Sequence, residues 1–175
     1  MTADERAVAP AAALDEGPLS FLPRAIREPR QPLLAIIIGW LTAFVPAIAL
    51  GAAVQFVLPD APKPDLAITG GYAIFRVTVF APVVETLIMA AVLALLLLFL
   101  PPTAAILVSA VGWGVAHSLA AAAWGLVIWW PFLIFSTLFV VWRNRSLLLA
   151  LAIPTAAHAL NNLIPSLLIL CGVAT

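Results

Sequence analysis

After Glu85 the chain carries no further acid, and its only later charges are Arg143 and Arg145. Every other residue from Thr86 to Thr175 is apolar, small, or polar without a formal charge, with histidine counted neutral. A chain of that kind has too little polar surface to meet water. In lipid it has one economical solution, a set of helices whose backbone groups bond within their own segment. Strands are a poor match, because the runs are long, continuous and rich in Leu and Ala. Soluble domains carry roughly a quarter charged residues, whereas this chain carries 9% and is 65% hydrophobic.

Run lengths and punctuation predict an all-α fold, a polytopic membrane bundle of about five transmembrane helices. The first span runs from about Leu33 to Leu58 and ends at Pro59-Asp60. The second, about Tyr72–Leu100, is closed by Pro101-Pro102; at ~1.5 Å per residue it overshoots a ~30 Å core, so it is expected to tilt or to bend near Pro82. The third is about Thr103–Ala122 and the fourth about Gly125–Trp142. The fifth, about Leu147–Leu170, is interrupted by Pro154 and Pro165.

The segment 1–31 is polar and reads as a separate N-terminal piece, with Met1–Ser20 a disordered tail; residues 32–175 form the transmembrane domain. A cleaved signal peptide is not expected, since the apolar run starts only at Pro32 and is long enough to be a span. Arg24, Arg27 and Arg30 precede the first span, and Arg143 and Arg145 separate the fourth from the fifth. The positive-inside rule puts both basic segments in the cytoplasm. The expectation is an integral protein of the cell's inner or plasma membrane, N-terminus cytoplasmic and C-terminus outside, in contact with the lipid bilayer. The formal net charge is zero and gives no footprint for nucleic acid. The single cysteine, Cys171, excludes an intrachain disulfide and reads as an inert thiol.

An ionisable group at membrane depth costs on the order of 2.5–3.5 kcal/mol on insertion scales, so Glu85 invites a functional reading. Counting rise from the span ends places Glu85, His117 and His158 about 17–21 Å into their spans, all near mid-bilayer. Asn162 lies four residues after His158 on the same helix face. Gly112, Gly114, Ala116, Ala156, Ala157 and Ala159 flank the histidines and permit close helix approach.

This set suits hydrolysis. A carboxylate can take a proton from a water as that water attacks a carbonyl. Imidazole can hold the water or protonate a leaving amine, and an amide can donate to the developing oxyanion. Two histidines and a glutamate are also the ligand set of some catalytic zinc enzymes, so Glu85, His117 and His158 could hold a metal instead. Spacing does not separate the two uses. Arg76 falls about 2.5 turns before Glu85, on the opposite side of the helix, and reads as an interfacial anchor. Ser118 and Ser136 read as packing residues. A non-catalytic scaffold or immunity-type protein, keeping the polar cluster for packing, is the main alternative. A transporter or proton relay finds less support, because no internal repeat echoes the acid-bearing span.

Three motifs resemble those of the CPBP family of intramembrane proteases, which includes type II CAAX prenyl proteases and bacteriocin-processing, Abi-like proteins. They are Pro82-Val83-Val84-Glu85-Thr86, Trp113-Gly114-Val115-Ala116-His117 and His158-Ala159-Leu160-Asn161-Asn162, in the family's order. The resemblance spans about residues 72–164, and Arg143–Ser146 is similar to the basic turn the family places before its last helix. It implies a hydrolase that cleaves a peptide or membrane-protein substrate. Glu85 would activate the water, His117 would bind or orient it, and His158 and Asn162 would stabilise the oxyanion. A glutamate-dependent mechanism without a cofactor is favoured over a zinc metalloprotease, because Asn162 suits an oxyanion donor and is a poor zinc ligand. Thr86 stands where the family often has a second glutamate, and Ala90 where it often has arginine. The first motif is therefore divergent.

Overall fold

Proline and glycine decide where the helices start and how they meet. The computed structural model describes Leu14, residues 17–64 and residues 68–172. Among the described residues these helices follow in chain order: α1 (Arg24–Arg27), α2 (Pro32–Val57), α3 (Gly71–Leu96), α4 (Pro102–Ser118), α5 (Gly125–Trp142) and α6 (Leu147–Leu170). Pro32 and Pro102 each sit in the first turn of their helix, where a missing N–H costs nothing. α2, α3, α5 and α6 are long and apolar enough to cross a membrane. α4 has 17 residues, a length of about 25 Å.

The chain is a bundle built on α5. From Pro131 to Trp142 every residue of α5 is buried. The other long helices turn large apolar side chains outward, such as Leu33 at 76% exposure and Phe56 at 87%. In water such faces would associate; against lipid tails they need no cover. α2 and α6 flank α5, and α4 lies along it. That last approach depends on glycine. A Cβ on Gly114 would sit 3.0 Å from the Trp129 Cβ, and one on Gly125 would overlap the Gly114 carbonyl oxygen and the Ser118 hydroxyl. Ser109 and Ser136 hydrogen-bond across the same interface at 3.0 Å, so Ser136 does serve packing.

Two of the long helices carry an interior proline whose missing donor is replaced from another helix. In α2, Pro46 cannot bond the carbonyl of Thr42 four residues back. The Trp130 indole N–H of α5 donates to it instead, at 2.8 Å. In α3 the residues Arg76–Phe80 form a π turn, in which Ala81 N–H reaches the Arg76 carbonyl five residues back. That register passes the Val77 carbonyl on to residue 82, and Pro82 has no N–H to give it. Asn162 Nδ2 of α6 donates to Val77 O at 3.0 Å. A widened turn thus stands just before Pro82, where the sequence suggests a bend.

Two expectations need correction. α4 ends at Ser118 rather than at about Ala122, and residues 119–124 reverse direction through short-range bonds such as Trp124 N–H to Ala121 O at 2.9 Å. Gly114 and Gly125 must touch although only a short piece of chain separates them, so the chain needs those residues to turn round. The expected disordered tail is also too long. Residues 1–13, 15 and 16 lie outside the described residues, but Leu14 and Leu19 are buried together with Leu22 and Ile26 in one cluster with Trp142. Their apolar surface gives this segment the burial that its polar average composition hides. Phe21 adds a ring contact to Trp130 at 6.2 Å between centroids.

Candidate active site

Helices α3, α4 and α6 bring the four candidate side chains to one place. Glu85, His117, His158 and Asn162 all line a single cavity of about 300 Å³, walled on its other side by α2 and α5. Glu85 follows the π turn by five residues, so the register set around Pro82 determines which way its carboxylate points. Its side chain is 26% exposed, and His158 beside it is 6% exposed. His158 Nε2 lies 3.7 Å from Glu85 Oε2, an ion-pair distance too long for a hydrogen bond.

The two imidazoles are held differently. His117 Nδ1 is 2.9 Å from the Trp113 carbonyl, one turn back on α4. A carbonyl can only accept, so Nδ1 carries the proton and a neutral His117 keeps its Nε2 lone pair free. Trp124 meets the His117 ring edge-on at 4.9 Å. His158 is clamped by Phe135, stacked at 4.7 Å and 21°. Its Nδ1 is buried and has no hydrogen-bond partner among the described residues. Phe132 touches both rings, at 5.5 Å from His117 and 5.3 Å from His158. These aromatic contacts fix both ring planes, which is what pre-organised proton transfer requires.

Asn162 lines the cavity as expected, yet one amide N–H is already given to Val77 O, which leaves one donor for a ligand. Asn161 also lines the cavity, and its Oδ1 is buried without a partner. Sequence reasoning gave Asn161 no catalytic role, and nothing in the spacing marks it for one. Phe132, Phe135 and Trp124 were missed because an aromatic residue in an apolar helix carries no local signal. Thr86, the divergent position of the first motif, points elsewhere. It is 1% exposed, its hydroxyl has no partner among the described residues, and it lines a separate apolar groove between α3 and α6. Arg76 is exposed and not part of the cavity.

Among the described residues no three His, Cys, Asp or Glu side chains converge into a metal-holding group. The carbonyl contact at His117 Nδ1 leaves its Nε2 as the atom that could meet a water or a metal ion, and Glu85, His117 and His158 are the residues that would hold one. No family model, curated protein or solved structure matches the chain, so the family likeness rests on the motif residues alone.

Proposed function

We propose that the protein is an intramembrane endopeptidase in which Glu85 activates a water for attack on a peptide carbonyl. The observation that carries this reading is the convergence of an acid, two histidines and an amide from three helices on one cavity. Glu85 takes the proton of the attacking water, whose oxygen bonds to the carbonyl carbon. His117 Nε2, free to accept, orients that water from the α4 side. The oxyanion finds donors in the remaining Asn162 N–H and in His158. On collapse the C–N bond breaks, and the amine leaves with a proton returned from Glu85. The basic flanks around Arg24–Arg30 and Arg143–Arg145 orient the N-terminus to the cytoplasm under the positive-inside rule.

One observation favours a second reading, a non-catalytic scaffold. The Glu85–His158 contact and the Asn162–Val77 bond both join α3 to α6, as structural glue would. Cleavage of a labelled peptide library by proteoliposomes separates the two. Glu85→Gln keeps the side chain's size and is expected to lower cleavage about 10²–10⁴-fold, the range for loss of a general base, with the unfolding midpoint unchanged. A Glu85→Gln protein that cleaves like the parent refutes the catalytic assignment.

A further inference from the structure

The Glu85 cavity occupies one half of the bundle, and helix direction identifies which. The basic segments meet at one end, where Arg145 Nη1 donates to Pro29 O and, at 3.4 Å, to Arg30 O. α2 and α6 start at that end, and their cavity-lining residues begin only at Phe44 and His158. α3 and α5 run the other way, and their lining residues stop at Glu85 and Phe135. The basic end is closed. Every residue of α5 from Pro131 to Trp142 is buried, and Leu19, Leu22 and Ile26 of the N-terminal segment pack into the same core.

The far end is not level. The Trp130–Thr42 bond fixes α5 against α2. Beyond it α2 continues for ~22 Å to Val57, but α5 for only ~8 Å to Gly125. The turn that joins α4 to α5 therefore stops ~14 Å short of the end of α2. α6 likewise runs on for ~18 Å past His158. The short pair α4 and α5 makes a floor, and α2, α3 and α6 stand above it. His117 lies on that floor, one residue before α4 ends, with Trp124 of the turn against its ring. Among the described residues the recess also has an open side. No Cα of α2 comes within 8 Å of one in α3, although Phe44 and Ile48 of α2 line the same cavity as Val77 and Ala81 of α3. Ile48 is 55% exposed. Since both helices are long and apolar enough to cross a membrane, this slit faces lipid.

We propose that the Glu85 cavity is loaded from the end opposite the basic segments, the non-cytoplasmic side under the positive-inside rule, and that its substrate is the outer flank of a membrane-anchored protein. The substrate class rests on the endopeptidase reading; the side of entry does not. An anchored chain can set its span in lipid beside α2 and α3, so that the slit admits the stretch just outside that span. Tethering in the membrane raises the effective concentration of that stretch at the site. Cysteine labelling finds the side of entry without any cleavage. In a Cys171→Ser background, full-length Trp124→Cys, Val127→Cys and Asn144→Cys proteins meet a membrane-impermeant maleimide in sealed, right-side-out membrane vesicles. Trp124→Cys and Val127→Cys are expected to label at once, and Val127→Cys serves alone if the tryptophan variant does not fold. Asn144→Cys, exposed in the turn at the basic end, should label only after detergent is added. The substrate class is read from two single-span reporters that carry a randomised segment on the outer or the inner flank. Cleavage of the outer-flank reporter alone, lost with Glu85→Gln, is expected. Labelling of the cavity cysteines only after detergent, or not at all, overturns the side of entry. Cleavage of the inner-flank reporter overturns the substrate class. If outside labelling holds and neither reporter is cut, the endopeptidase reading fails and takes the substrate class with it.

Discussion

Asn162→Ala removes the side-chain donor that reaches Val77 O, and the effect can be worked from the surroundings of that carbonyl. The acceptor is half-buried inside a membrane bundle, and the usual backbone donor is absent because residue 82 is proline. Leaving a buried acceptor unsatisfied costs about 1–3 kcal/mol. Hydrogen bonds between transmembrane helices average nearer 0.6 and reach about 1.7 kcal/mol. A loss of about 1–2 kcal/mol is therefore expected, a fall in unfolding midpoint of roughly 2–8 °C for a chain of this size. The decisive comparison is with Pro82→Ala, which restores an amide hydrogen one helical register away. In that background Val77 O has a backbone donor again, so Asn162→Ala should cost a few tenths of a kcal/mol. The double-mutant coupling should then be about 1 kcal/mol. Thermal unfolding of the four proteins in one detergent measures it. Equal costs of Asn162→Ala with and without Pro82 would refute the account of Asn162 as a replacement for the missing N–H.

The other predictions concern the packing that holds the cavity in shape. Trp130→Phe keeps a ring but loses the donor to Thr42 O, and should cost about 1 kcal/mol by the same unfolding assay, most of it recovered by Pro46→Ala. Gly125→Ala would drive a methyl into the Gly114 carbonyl and the Ser118 hydroxyl; overpacking of about 1–3 kcal/mol should follow, seen as a lower midpoint and poorer yield. Gly112→Ala, where a Cβ meets nothing within 4 Å, is the control and should be neutral.

Helix identity was legible in the sequence because apolar run length and proline position act locally. α5 and α6 have the ranges read from the runs, Gly125–Trp142 and Leu147–Leu170. The depth count also brought Glu85, His117, His158 and Asn162 to one level, and they share one cavity. What could not be read depends on contacts between distant residues. The end of α4 is set by glycine meeting glycine across an interface, not by the alanine-rich run that continues past it. The burial of Leu14 and Leu19 depends on joining a core built by distant helices, which composition does not reveal. The partner of Asn162 is a carbonyl 85 residues earlier, and only the combination of a π turn with Pro82 makes that carbonyl available. Thr86 shows the reverse case. A motif position that looked like part of the site faces a different groove.

The two replaced proline bonds have a consequence for biogenesis. Thr42 waits for a donor 88 residues further along the chain, and Val77 for one 85 residues further. A ribosome makes both acceptors long before either donor, so α2 and α3 reach the bilayer with a bare carbonyl each. Those two helices are complete only when α5 and α6 arrive beside them. A chain truncated before Trp130 holds two spans that each lack the side-chain donor for one carbonyl.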